Sequence, residues 1–62
     1  MSQAKEIVSR NKTGLFDDAT APAAWAAIST HGTPRGPNRV DFADGSRVVR
    51  DPMSGAVYTE NC

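Results

Sequence analysis

The chain has one cysteine, one histidine, four aromatic residues and no excess of charge of either sign. Each shortage excludes something. Cys62 stands alone at the last position, so no disulfide can form within the chain, and the usual covalent staple of a small domain is missing. A single cysteine fits a reducing compartment or a tail thiol without a role, and a disulfide to another chain is the further alternative. One histidine and one cysteine do not make an ordinary structural zinc site. Seven basic residues offset seven acidic ones, which argues against a bulk polyanion binder. Few aromatics argue against a platform for stacking bases.

Long apolar runs are also absent. No stretch approaches the roughly 18 apolar residues of a membrane span. The first ten residues, M-S-Q-A-K-E-I-V-S-R, carry charges where a secretory signal needs an apolar core. The expectation is a cytoplasmic protein that does not engage a membrane. Asn11-Lys12-Thr13 then matches the glycosylation sequon by chance.

What is present is enough to fold. A chain of 62 residues permits one small core and buries only about 60% of the surface its unfolded form exposes. One domain over residues 1–62 is expected: a helical part at 2–31, a linker at 32–38, a β-meander at 39–59 and a tail at 60–62.

Residues 3–11 read as a helix. Ser2 can cap it, and Ala4, Ile7 and Val8 fall on one face, with Lys5, Glu6 and Arg10 toward water. The competing reading is a strand over Ile7–Arg10 that turns at Asn11–Gly14 into Leu15-Phe16. Gly14 marks a stop in either case. Asp17-Asp18 suits the start of a second helix, where the dipole favours carboxylates. Residues 21–30 are the strongest helical segment, rich in alanine and with Pro22 in the first turn. Gly32 reads as its C-cap, and Pro34 prevents continuation. Ala21, Trp25 and Ile28 form its apolar stripe, with Ala24 beside it. Residues 31–37, H-G-T-P-R-G-P, read as an extended surface connector.

The last third is written as a β-meander. A three-residue hairpin loop with left-handed Gly45 pairs Phe42 with Ser46, Asp41 with Arg47, Val40 with Val48 and Arg39 with Val49. That register sends Val40, Phe42 and Val48 to one face, and Arg39, Asp41 and Arg47 to the other. Asp41 and Arg47 then form a cross-strand charge pair. Residues 51–55 turn into a third strand from Ala56 to Thr59. The expected fold class is α+β: two short N-terminal helices packed on one face of a C-terminal three-stranded antiparallel β-meander.

No residue pattern signals catalysis or a cofactor, so the chain is read as a non-enzyme. His31 beside Ser29 and Thr30 is a surface residue at a helix end, because adjacency there does not make a triad. Cys62 lacks the ordered electropositive setting of a reactive thiol. Asp17, Asp18, Asp41 and Asp44 each have a structural use, as helix start, charge pair or turn. Residues 32–37 lack the G-K-[ST] ending of a phosphate loop, and their prolines remove backbone donors. Trp25 reads as the anchor between helix and sheet, or else as an exposed interface residue.

The arginines form the candidate site. Arg35, Arg39, Arg47 and Arg50 gather in the C-terminal half, where no lysine accompanies them. Arginine suits bidentate contact with carboxylate or phosphate. With Val49 and Tyr58 they make a candidate partner-binding surface on the sheet's outer face.

In size and organisation the chain resembles the small inhibitor proteins encoded by phages and mobile elements, anti-CRISPR proteins among them. Those are short, cysteine-poor domains without catalytic residues. The resemblance is one of length and architecture, and no motif carries it. It implies steric blockade of a larger protein or a protein–nucleic-acid complex. Two other readings remain: a nucleic-acid binder using the arginine face, and a structural subunit or homo-oligomer joined through exposed strand edges.

Overall fold

A computed structural model describes residues 2–62. Helix α1 spans Gln3–Arg10. Ser2 is extended, and its hydroxyl accepts the Lys5 N–H at 3.1 Å, as an N-cap should. Ala4 and Ile7 are the buried residues of this helix. The Asn11 side-chain amide donates to the Ile7 carbonyl at 2.9 Å and closes the last turn.

A short helix α2 follows at Lys12–Phe16, where the competing reading has a turn leading into an extended Leu15-Phe16 pair. Gly14 does not stop a helix; it lies inside one. A Cβ at Gly14 would sit 3.1 Å from the Ala24 Cβ, so its small size lets α2 lie close to the next helix. Asp17 does not begin a helix either. Its carboxylate accepts the Ala19 N–H at 3.0 Å in the turn that precedes α3, Ala21–Thr30. Ala24 and Ile28 are the buried residues of α3, while Trp25 is partly buried against the core. The apolar stripe is therefore turned slightly from the Ala21–Trp25–Ile28 line.

The sheet has four antiparallel strands, not three. They are β1 (Thr33–Pro34), β2 (Arg39–Asp41), β3 (Arg47–Arg50) and β4 (Val57–Glu60), in spatial order β1-β2-β3-β4. The additional strand β1 lies in the expected linker. It pairs Thr33 with Asp41 and Pro34 with Val40 at the sheet's edge, where proline is tolerated. Gly32 makes this possible. A Cβ there would lie 2.6 Å from the Asp41 carbonyl oxygen and 2.8 Å from Val40 Cγ1. Its need is for close approach; the C-cap of α3 is His31.

The β2–β3 hairpin has the expected register. Arg39, Val40 and Asp41 oppose Val49, Val48 and Arg47, and the Phe42 N–H donates to the Ser46 carbonyl at 2.9 Å. Gly45 has φ +89°, the left-handed conformation that the loop requires. Strand β4 runs through Glu60, which pairs with Arg47, so the strand reaches one residue into the expected tail.

Ala4, Ile7, Ile28, Val40, Phe42 and Val48 form one buried cluster between the helices and the sheet. A polar contact fixes α1 upon it. The Ala4 N–H donates to the Ser46 hydroxyl at 3.1 Å, and the Gln3 N–H donates to the Asp44 carboxylate at 2.8 Å. Ser46 is 1% exposed, and its hydroxyl donates in turn to Asp44. Of the N–H groups of the first helical turn, that of Lys5 is thus satisfied by the neighbouring Ser2, and those of Gln3 and Ala4 by the β2–β3 loop, distant in sequence.

Removing the hydroxyl in Ser46→Ala leaves a buried Ala4 N–H without its acceptor. The expected loss is about 1–3 kcal/mol in denaturant unfolding; an unchanged midpoint would show that the contact contributes nothing. The Gln3 N–H, then the Ser46 hydroxyl and N–H, hold the Asp44 carboxyl below its ordinary pKa. A depressed folded-state pKa stabilises above the unfolded value, near 3.9, and that contribution is lost as pH falls through the folded value. Thermal melts of Asp44→Asn should therefore depend less steeply on pH below about 4 than those of the parent. Identical slopes would remove Asp44 from the acid response.

Candidate partner-binding surfaces

The helices cover one face of the sheet and leave the other bare. Side chains alternate along each strand, so the strand pairing assigns the faces. Val40, Val48 and Thr59 point to the helices. Arg39, Val49 and Tyr58 form one row across the bare face, and Asp41, Arg47 and Glu60 form the next. Tyr58 is 49% exposed, and Val49 is partly buried between its neighbours.

The charges on this face are paired with one another. Arg39 donates to Asp41 from two nitrogens, at 2.9 and 3.2 Å. Arg35 reaches the same carboxylate at 3.3 Å. The charge pair expected between Arg47 and Asp41 from the register does not form; the Arg47 Nε donates instead to Glu60 at 2.7 Å. The Arg39 hydrogen bonds come first in holding the Asp41 carboxyl below its usual pKa, with the charges of Arg39, Arg35 and Arg47 adding to them. The same bond raises the Arg39 pKa. These pairs are solvent-facing and screened by salt, so they shape the surface more than they stabilise it.

Five of the six expected site residues, Arg35, Arg39, Arg47, Val49 and Tyr58, thus lie on or beside the bare face. Arg50 does not. Strand alternation turns it to the helix side, where its guanidinium lies 4.6 Å from the centre of the Trp25 ring. Its Nε donates to the Asn38 side chain at 3.1 Å, and its Nη2 to the Pro37 carbonyl at 3.0 Å. Arg50 closes the connector over Trp25, and Trp25 is both a core-edge residue and the floor of a cation–π contact.

A concavity opens on the helix side of β4. It is a groove of about 820 Å³ between α1, α2 and the segment 54–59. Lys5, Val8, Ser9 and Lys12 reach it from successive turns. Lys5, Val8 and Ser9 belong to α1 and Lys12 to α2, and the docking of α1 beside β4 makes them one wall. Phe16, 78% exposed, stands at the groove with the Lys12 ammonium 5.9 Å from its ring centre.

His31 caps α3, with Nδ1 3.1 Å from the Ala27 carbonyl oxygen. Cys62 is exposed, and hydrogen bonding first with Ser2 and then with Thr59 lowers its thiol pKa. Among the described residues, no three His, Cys, Asp or Glu side chains converge as a metal site, and no helix is long and apolar enough to cross a membrane. No protein family, curated protein or solved structure matches the chain.

Replacing Arg50 by lysine keeps the charge and removes the planar fork that holds Asn38, Pro37 and the ring. The expected cost is about 1–2 kcal/mol. The fluorescence of Trp25, the one tryptophan, should move to longer wavelength as water reaches the ring. An unchanged spectrum and melt would separate Arg50 from Trp25.

Proposed function

We propose that this chain is a small non-enzymatic protein-binding module that occupies a surface on a larger protein or protein–nucleic-acid complex. The supporting observation is the bare sheet face, where Val49 and Tyr58 lie among arginines already oriented by carboxylates. Aromatic and arginine side chains are the types enriched at interfaces. Ion pairs that hold Arg35, Arg39 and Arg47 in place reduce the entropy lost when those side chains are ordered by a partner. The reading agrees with steric blockade of the kind the phage-encoded inhibitors use, acting in the cytoplasm and without a cofactor.

The ion pairs weigh against direct nucleic-acid binding. Three arginines on or beside the face meet Asp41 and Glu60, so little positive charge remains to displace counterions from a phosphate backbone.

Val49→Glu tests the reading. The new carboxylate lies opposite Arg39 in the ladder, which should preserve the fold while placing a charge at the centre of the face. Tagged parent and variant proteins are used to capture partners from a cytosolic extract treated with nuclease, with mass spectrometry as the readout. The expected result is a stoichiometric protein partner with the parent and its loss with a variant that melts normally. Capture that disappears with nuclease, or that survives Val49→Glu, would overturn the assignment.

A further inference from the structure

The seven basic side chains divide into two sets by their surroundings. Arg10, Arg35, Arg39 and Arg47 each form a salt bridge, with Glu6, Asp41 or Glu60. None of these four lines the groove beside β4. Lys5, Lys12 and Arg50 form no salt bridge among the described residues, and all three line the groove. Asp18 is the one acidic residue on its wall. In a chain of zero net charge, the uncompensated positive charge is gathered in one apolar concavity, around Val8, Leu15, Phe16 and Val57.

The same groove runs along a free strand edge. β4 ends the sheet, so its far side has no strand neighbour. The Asp51 N–H donates to the Ala56 carbonyl, and the Arg50 N–H donates to the Asn38 carbonyl. This alternation places the Tyr58 backbone groups toward β3 and directs those of Val57 and Thr59 outward. An outward row of donors and acceptors accepts an extended chain by strand addition, and alternate side chains of that chain enter the adjacent concavity.

We propose that the groove and the β4 edge together form a second docking site, for an extended segment of a partner protein that carries apolar and acidic side chains toward α1 and α2. The backbone of the segment pairs with Val57 and Thr59. Its apolar side chains cover Val8, Leu15 and Val57, and its carboxylates meet Lys5 and Lys12 at the rim. Complementary charge sets partner choice and association rate. The edge amides favour a peptide backbone over an anionic lipid surface, which offers no strand to pair. This site differs from the bare sheet face, and neither proposal rests on the other.

The test is selection of displayed random dodecapeptides on the immobilised 62-residue chain, followed by fluorescence anisotropy of the enriched peptides. Expected are peptides with acidic and apolar residues on alternate positions, with affinity falling as salt rises. Lys5→Glu with Lys12→Glu should weaken them roughly tenfold or more, whereas Val49→Glu should not. Thr59→Pro removes an outward N–H without breaking the β3–β4 ladder, and should abolish binding. If Thr59→Pro does not melt cooperatively, N-methylation of alternate peptide amides probes the same bonds from the other side. No enrichment, or enriched peptides indifferent to Lys5 and Lys12, overturns the proposal. Association with phosphatidylserine vesicles that displaces the peptides overturns it in favour of a lipid surface. Peptide-free dimerisation that Thr59→Pro prevents overturns it in favour of a second copy.

Discussion

The contact on which the rest of this structure depends is the one between the first turn of α1 and the β2–β3 hairpin. Ser46 and Asp44 accept the N–H groups of Ala4 and Gln3, tying residues separated by about forty positions into one polar joint. A helix of eight residues is not stable alone in water. It persists because its buried Ala4 and Ile7 meet the core and because its free N–H groups find acceptors there. The joint also sets orientation. With its N-terminus held at the hairpin, α1 lies beside β3 and β4, and the groove at β4 has a wall.

Both proposed surfaces follow from that arrangement. The sheet is covered once, by helices from the N-terminal half, so one face is bare, and β4 ends the sheet beside the groove. On the bare face, positive charge is met by Asp41 and Glu60. On the covered side, Lys5, Lys12 and Arg50 form no salt bridge among the described residues. The two surfaces therefore suit different chemistry: a charge-paired, preordered patch with an apolar centre, and a positive apolar groove beside outward-facing backbone groups.

Local pattern made much of the fold legible. The alternation of Val40, Phe42 and Val48 with Arg39, Asp41 and Arg47 admits one register, because a slip of one residue would bury charge. Pro22 and the alanine run mark α3, and Ser2 marks the start of α1. What the sequence concealed depends on contacts between distant segments. Thr33-Pro34 is too short and proline-bearing to read as a strand until Gly32 brings it against β2. Asp44 reads as a turn residue, which it is, and nothing nearby announces its second task at α1. Arg47 chose Glu60 over Asp41 because Arg39 and Arg35 already occupy the Asp41 carboxylate. The position of Arg50 was available from the alternation, since a register that turns Val49 outward turns its neighbour inward. The grouping of Lys5, Val8 and Ser9 with Lys12 was not legible, because Lys12 lies beyond the expected helix and the groove depends on the position of β4.

Native-state hydrogen exchange of the Ala4 amide addresses the joint most directly. If α1 is locked to the hairpin, this amide, near the start of the chain, should open only with the global unfolding that exposes Val48, and the two should show the same opening free energy. Ala4 exchanging at the rate of a frayed terminus while Val48 stays protected would contradict it, and would leave the groove without a fixed wall.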